Sequence, residues 1–168
     1  MTRKLIGLFL LLAAGATGWY LLRGSRNPAG RVNLVWSGSR SGKIELPGQL
    51  AWCPVTRVAT LEAVRNDTGL LMTLLENDSL TNGPRHVVSP QIREQSPRPS
   101  ALASMRWVND SGLVGFRSVS GMVDLLGDSR RLSGSFELHM QAPGKVDTIT
   151  VRGDFRDLPV EITAIDCS

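Results

Sequence analysis

From Arg31 onward the chain is a succession of short runs in which apolar and polar residues alternate. Each run ends at Gly, Asn, Asp or Pro. An alternation of period two puts every second side chain on one face of an extended strand, so it selects strands over helices. Val32, Leu34 and Trp36 share a face in Arg31–Ser37, and Ala59, Leu61 and Ala63 do so in Thr56–Arg65. The segment Phe136-Glu137-Leu138-His139-Met140-Gln141 alternates throughout and places His139 on the polar side. Leu70–Glu76 is apolar on both faces, which predicts a central strand. Turn residues fall between the runs at Gly38–Gly42, Asn66–Gly69, Asn109–Gly112, Gly127-Asp128 and Ala142–Gly144. Asn, Asp and Gly suit turns because they tolerate left-handed backbone. The pattern predicts an all-β chain over residues 31–168. The expected form is an antiparallel β-sandwich or β-barrel-like domain of about ten short strands.

Residues 81–100 break the pattern. Pro84, Pro90, Pro97 and Pro99 occur there with Gln, Ser and Arg. Loops of this length in small domains are functional or disordered. We expect a Pro/Arg-rich loop whose Arg85, Arg93 and Arg98 serve as partner-contact residues. The wider basic stretch continues to Arg106 and Arg117, where the bland reading is solvated strand faces. A repeated Gly-x-Phe, at Gly134–Phe136 and Gly153–Phe155, falls on consecutive strands and marks either a bulge or a close-packing device in a meander.

Ahead of the β region lies one N-terminal apolar segment. Arg3 and Lys4 precede a run built almost wholly of Leu, Ile and Phe from Leu5 to Leu12, and apolar character continues through Trp19 to Leu22. As a helix, Leu5–Leu22 would span about 27 Å, enough for the hydrocarbon core. Residues 1–23 are therefore expected to be a helical signal anchor, contacting the membrane through residues 5–22, with residues 24–30 as a short tether. Arg23, Arg26 and Arg31 follow the span, against the usual preference for positive charge on the inside. The alternative is a signal peptide cleaved near Ala16, after the small residues Ala14-Gly15-Ala16. Both readings put the β region outside the cytoplasm, in the periplasm or beyond.

The only two cysteines, Cys53 and Cys167, fit that location. An even pair in an exported chain predicts a disulfide. The formal charge of +4 says less than it suggests, because Arg3 and Lys4 supply two of the 19 basic residues against 15 acidic ones. The remainder is too balanced for the basic patch of a nucleic-acid binder.

The chemical inventory is thin: two histidines, one tyrosine and no dense ligand cluster. The segment Gly38–Lys43 fails the phosphate-loop pattern, because Ser37 and Ile44 stand where Gly and Ser or Thr are required. It also fails Gly-x-Ser-x-Gly, because Arg40 is central. Cys53, Cys167, His86 and His139 match no usual zinc spacing. The pair Asp124 and Glu137 carries little information, since every β domain of this size offers such pairs. Asn66, Asn77 and Asn109 open Asn-x-Ser/Thr sequons that coincide with turns. No catalytic, cofactor-binding or metal-ligating residue is assigned, and no cofactor is expected. Trp36, Trp52 and Trp107 fall on strands, as core or as the aromatic lining of a ligand cleft.

These features favour a non-enzymatic, membrane-tethered domain that acts by contact with another envelope protein. The first alternative is a binding module for a small apolar or lipid ligand. The second is a carboxylate-dependent hydrolase.

Overall fold

The computed structural model describes residues 30–90, 96–110, 112–163 and 167. Nine strands run in chain order: β1 Gly30–Gly38, β2 Gly42–Cys53, β3 Val58–Arg65, β4 Thr68–Leu75, β5 Gly83–Val87, β6 Ser100–Asn109, β7 Gly112–Gly127, β8 Arg131–Gln141 and β9 Thr148–Ile162. The described residues are all-β. The expected N-terminal helix lies outside them, as does the tether apart from Gly30. Among the described residues no helix is long and apolar enough to cross a membrane.

The strands form one sheet in the order β1-β2-β3-β4-β6-β5-β7-β8-β9, and β9 pairs back onto β1, so the strand order closes on itself. The sheet is mixed rather than wholly antiparallel, because β2–β9 and β5–β6 pair in parallel. The strands are fewer and longer than the turn signals imply: β7 has 16 residues, β9 has 15 and β2 has 12. Each long strand passes through residues that read as breaks. Pro47 sits in β2 opposite Arg31 of β1, whereas pairing to β3 begins only at Gly48. Proline is tolerated at a position flanked on one side only, where its missing N–H can fall on the open side. In β7 the pairing to β8 slips between Ser118 and Ser120, a bulge that bends the strand without ending it. In β9 Asp157 takes a positive φ of 52° just before Pro159.

The predicted long loop contains β5. Pro84 pairs with Asp124 of β7, while contact with β6 starts only at His86. The same one-sided arrangement hid this strand from the pattern.

Alternation selects the inner face as the sequence requires. Val32, Leu34, Leu50, Leu61, Leu70, Met72, Phe136, Leu138, Ile149, Val151 and Phe155 are all buried in one cluster. The repeated Gly-x-Phe has a direct structural meaning. Gly134 pairs with Phe155, and Phe136 pairs with Gly153. Each phenyl ring lies over the opposite glycine: a Cβ on Gly134 would stand 2.5 Å from the Phe155 ring, and one on Gly153 would stand 2.5 Å from that of Phe136. The two rings then stack with centroids 6.4 Å apart.

Following the strand directions, one end of the sheet holds Gly30, the Cys53–Val58 turn, Leu75 to Gly83, the Gly127–Arg131 turn and Ile162. We call this the entry end, since the N-terminal segment joins the domain there. The far end holds the β1–β2, β3–β4 and β6–β7 turns and the β8–β9 loop.

Candidate interaction surface

The entry end is built from buried polar groups. Cys53 and Cys167 form the predicted disulfide across 114 residues, with Cα atoms 5.8 Å apart. Both sulfurs are thereby occupied, which removes them as thiolate ligands or nucleophiles. The C-terminal segment is also fixed by Thr163, whose N–H and hydroxyl both donate to the Trp52 carbonyl.

The same end of the sheet holds a buried ion pair. Arg85 and Glu76 are each 1% exposed. Arg85 Nε donates to Glu76 Oε1 at 2.9 Å and Nη2 to Oε2 at 3.0 Å. The same guanidinium donates to the carbonyls of Gly83 and Thr81 and to Thr81 Oγ1. A guanidinium fits this role because its planar fork serves a carboxylate and further acceptors together. Arg98 does similar work nearer the surface: its Nη1 donates to the Glu76 carbonyl at 2.8 Å and reaches the carbonyls of Thr56 and Arg57.

The partner-contact expectation for the loop arginines changes accordingly. Arg85 points inward and is not available to a partner. Arg98 is committed to three backbone carbonyls, and Arg93 lies outside the described residues. Charge alone drew attention to these residues, and charge does not reveal which arginines already have acceptors.

The three tryptophans do not form one cleft. Trp36 and Trp107 meet across the inside of the sheet with ring centroids 5.6 Å apart, and Trp107 stacks on Phe116 at 5.4 Å. This aromatic stack packs on the core toward the far end. Trp52, 8% exposed, lies at the entry end opposite Ala59 and Ile162. His139 is on the outer face as expected, beside Glu137, which is held by Arg152 at 3.0 Å. That ion pair keeps the Glu137 carboxyl below its ordinary range. Asp124 faces Ser135 rather than Glu137.

The outer face of β3, β4, β6 and β7 carries a different surface. Cross-strand registry aligns Glu62, Leu71, Ser104 and Arg117 in one row and Val64, Gly69, Arg106 and Gly115 in the next. The two glycines give the second row a low floor. An open cleft of about 390 Å³ follows these rows, with Leu113 and Pro143 at its far-end rim. A smaller hollow of about 180 Å³ shares Leu71, Ser104 and Arg117 and extends the cleft to Thr73, Leu102 and Pro90. Leu113 is 69% exposed and Leu71 is 44% exposed, and Val64 and Val108 are also solvent-facing. Arg106 and Arg117 have no hydrogen-bond or ion-pair partner among the described residues. Apolar side chains gathered in one exposed cleft, with unpaired cations among them, are the usual character of a binding surface.

Sequence reasoning did not single out this cleft. Its signal is the two-faced apolar pattern of Leu70–Glu76, which predicts a central strand and does not by itself separate burial from binding. Comparison with protein-family models, curated proteins and solved structures returns no match to this chain.

Proposed function

We propose that the chain is a non-enzymatic, membrane-tethered β-barrel-like domain outside the cytoplasm, acting through contact with another protein of the envelope. The cleft over β3, β4, β6 and β7 carries this reading: it gathers exposed leucines with arginines that have no partner among the described residues. The Cys53–Cys167 disulfide supports an oxidising compartment. The apolar segment Leu5–Leu22 supports a tether. An apolar ligand held inside the sheet is less favoured, because Trp36, Trp107 and Phe116 pack on one another and on the core.

Photo-crosslinking in intact cells tests the reading. A crosslinking residue replaces Leu71 or Leu113 in the cleft, and Val35, 57% exposed on β1, serves as control. Protein adducts from positions 71 and 113 but not from 35 are expected. Adducts from none, or equally from all three, would contradict it.

A further inference from the structure

We infer that the occupant of the cleft is an extended acidic peptide segment of the partner, with apolar side chains interleaved among carboxylates. The inference rests on the protein-contact reading above and adds the chemistry of the partner.

Three observations carry it. The first is charge. Arg106 and Arg117 flank the cleft with no partner among the described residues, and Glu62 is the one acidic side chain among those lining it. The lining therefore carries a net positive charge that an anionic occupant neutralises. The second is shape. The cleft crosses four neighbouring strands, about 14 Å at ordinary strand spacing, which suits about four extended residues. Leu71, Leu113 and Val64 supply apolar contacts, while Gly69 and Gly115 leave backbone at the floor. A Cβ placed on Gly115 would meet nothing within 4 Å, so the space there is free. The third is position. Leu113 and Pro143 put the cleft rim toward the far end, whereas Gly30 joins the tether at the entry end. On the tether reading proposed above, the membrane lies at the entry end, which favours a protein segment over the head groups of that membrane. Among the described strands every one has neighbours on the closed sheet, so the segment docks by side chains on the outer face and not by adding a strand at an edge.

The test uses the full chain in neutral maltoside micelles. The probes are fluorescent short peptides in which valine alternates with Glu, Gln or Lys, read by anisotropy at low and high salt. The Glu series is expected to bind, the Gln and Lys series not, and binding should weaken with salt. Reversing both charges, Arg106→Glu with Arg117→Glu, should weaken binding by about tenfold or more. Gly115→Trp should abolish it while leaving thermal unfolding unchanged, since it fills open space.

Equal binding of all three series, or acidic binding indifferent to Arg106, Arg117 and Gly115, would overturn the inference. Arginine-dependent binding of phosphatidylglycerol vesicles without peptide binding would also overturn it, in favour of an anionic lipid surface. If crosslinks from positions 71 and 113 persist when the acidic peptides fail, the chemistry assigned to the partner is wrong and the protein contact stands. If the crosslinks are absent as well, both fail.

Discussion

Arg85 has no route to solvent and five acceptor contacts to satisfy it, so its role is to hold the chain between β4 and β5 in place. Removing one member of a buried pair leaves the other charge uncompensated, typically about 3–5 kcal/mol. Arg85→Met should therefore lower unfolding free energy in urea by about that amount. Adding Glu76→Leu should not restore it fully, because the carbonyls of Gly83 and Thr81 lose their donor as well. Full recovery in the double variant would show that only the ion pair mattered. On the outer face the balance differs. Glu137 is exposed and its carboxyl titrates below the ordinary glutamate value of 4.5, first because Arg152 donates to it. A depressed carboxylate stabilises the fold above its unfolded value, and the effect is lost as pH falls through the lower folded value. The melting temperatures of the protein and its Glu137→Gln variant should differ slightly at neutral pH and converge in acid below that range. A gap that widens in acid would reverse the sign. Sequence could place Arg85 in a basic stretch but could not show that Glu76, nine positions earlier, would face it. That pairing depends on where β5 lies.

The strands show why glycine spacing matters. A Cβ on Gly134 would stand 2.3 Å from the Asp124 carbonyl oxygen, so Gly134→Ala must displace either backbone or the Phe155 ring. Overpacking of this kind costs about 1–3 kcal/mol. Gly115→Ala meets open space and should be neutral or better, because strand-interior glycine is otherwise unfavourable. Chemical denaturation of the two variants distinguishes these outcomes, and equal losses would refute the ring-over-glycine account. A second device sits where β5 leaves the β6–β7 ladder. The buried Ser118 hydroxyl accepts from the Ala103 N–H at 3.0 Å and donates to the Val88 carbonyl at 2.9 Å. Ser118→Ala strands both groups and should cost about 1–3 kcal/mol. A loss within error would mean that the fork does not need the hydroxyl. Much of this level was legible in advance. The inner faces of β1, β3, β8 and β9 follow from alternation, and the Gly-x-Phe echo marks a bulge or close packing, of which the rings over the glycines are the second. Strand continuity was not legible. Pro47, Pro84 and Pro159 each read as a stop, and each is tolerated because neighbouring strands leave gaps that no local pattern encodes. The cleft was hidden for a related reason: apolar residues on both faces of β4 signal burial or binding alike, and only the assembled sheet separates the two.

At the scale of the whole molecule, closure depends on two places where one strand takes over another's flank. The start of β1 at Gly30 gives way to the end of β9, which pairs with β2 at Leu50–Trp52. On the other side β7 pairs with β6 near its start and with β5 toward its end. The disulfide locks the first of these seams by tying the end of β2 to the chain beyond β9. For so long a loop, chain-entropy reasoning gives about 4–5 kcal/mol of stabilisation. Its formation also requires an oxidising compartment, which links the fold to the proposed location. Gly30 and the far-end cleft rim lie at opposite ends of the sheet. The most direct measurement is the intact mass of the membrane-extracted protein after thiol alkylation without reductant. The full-length chain is expected, residues 1–23 retained, with no alkylation at Cys53 or Cys167. Two alkylated thiols would contradict the exported, oxidised domain, and a chain shortened near Ala16 would contradict the tether.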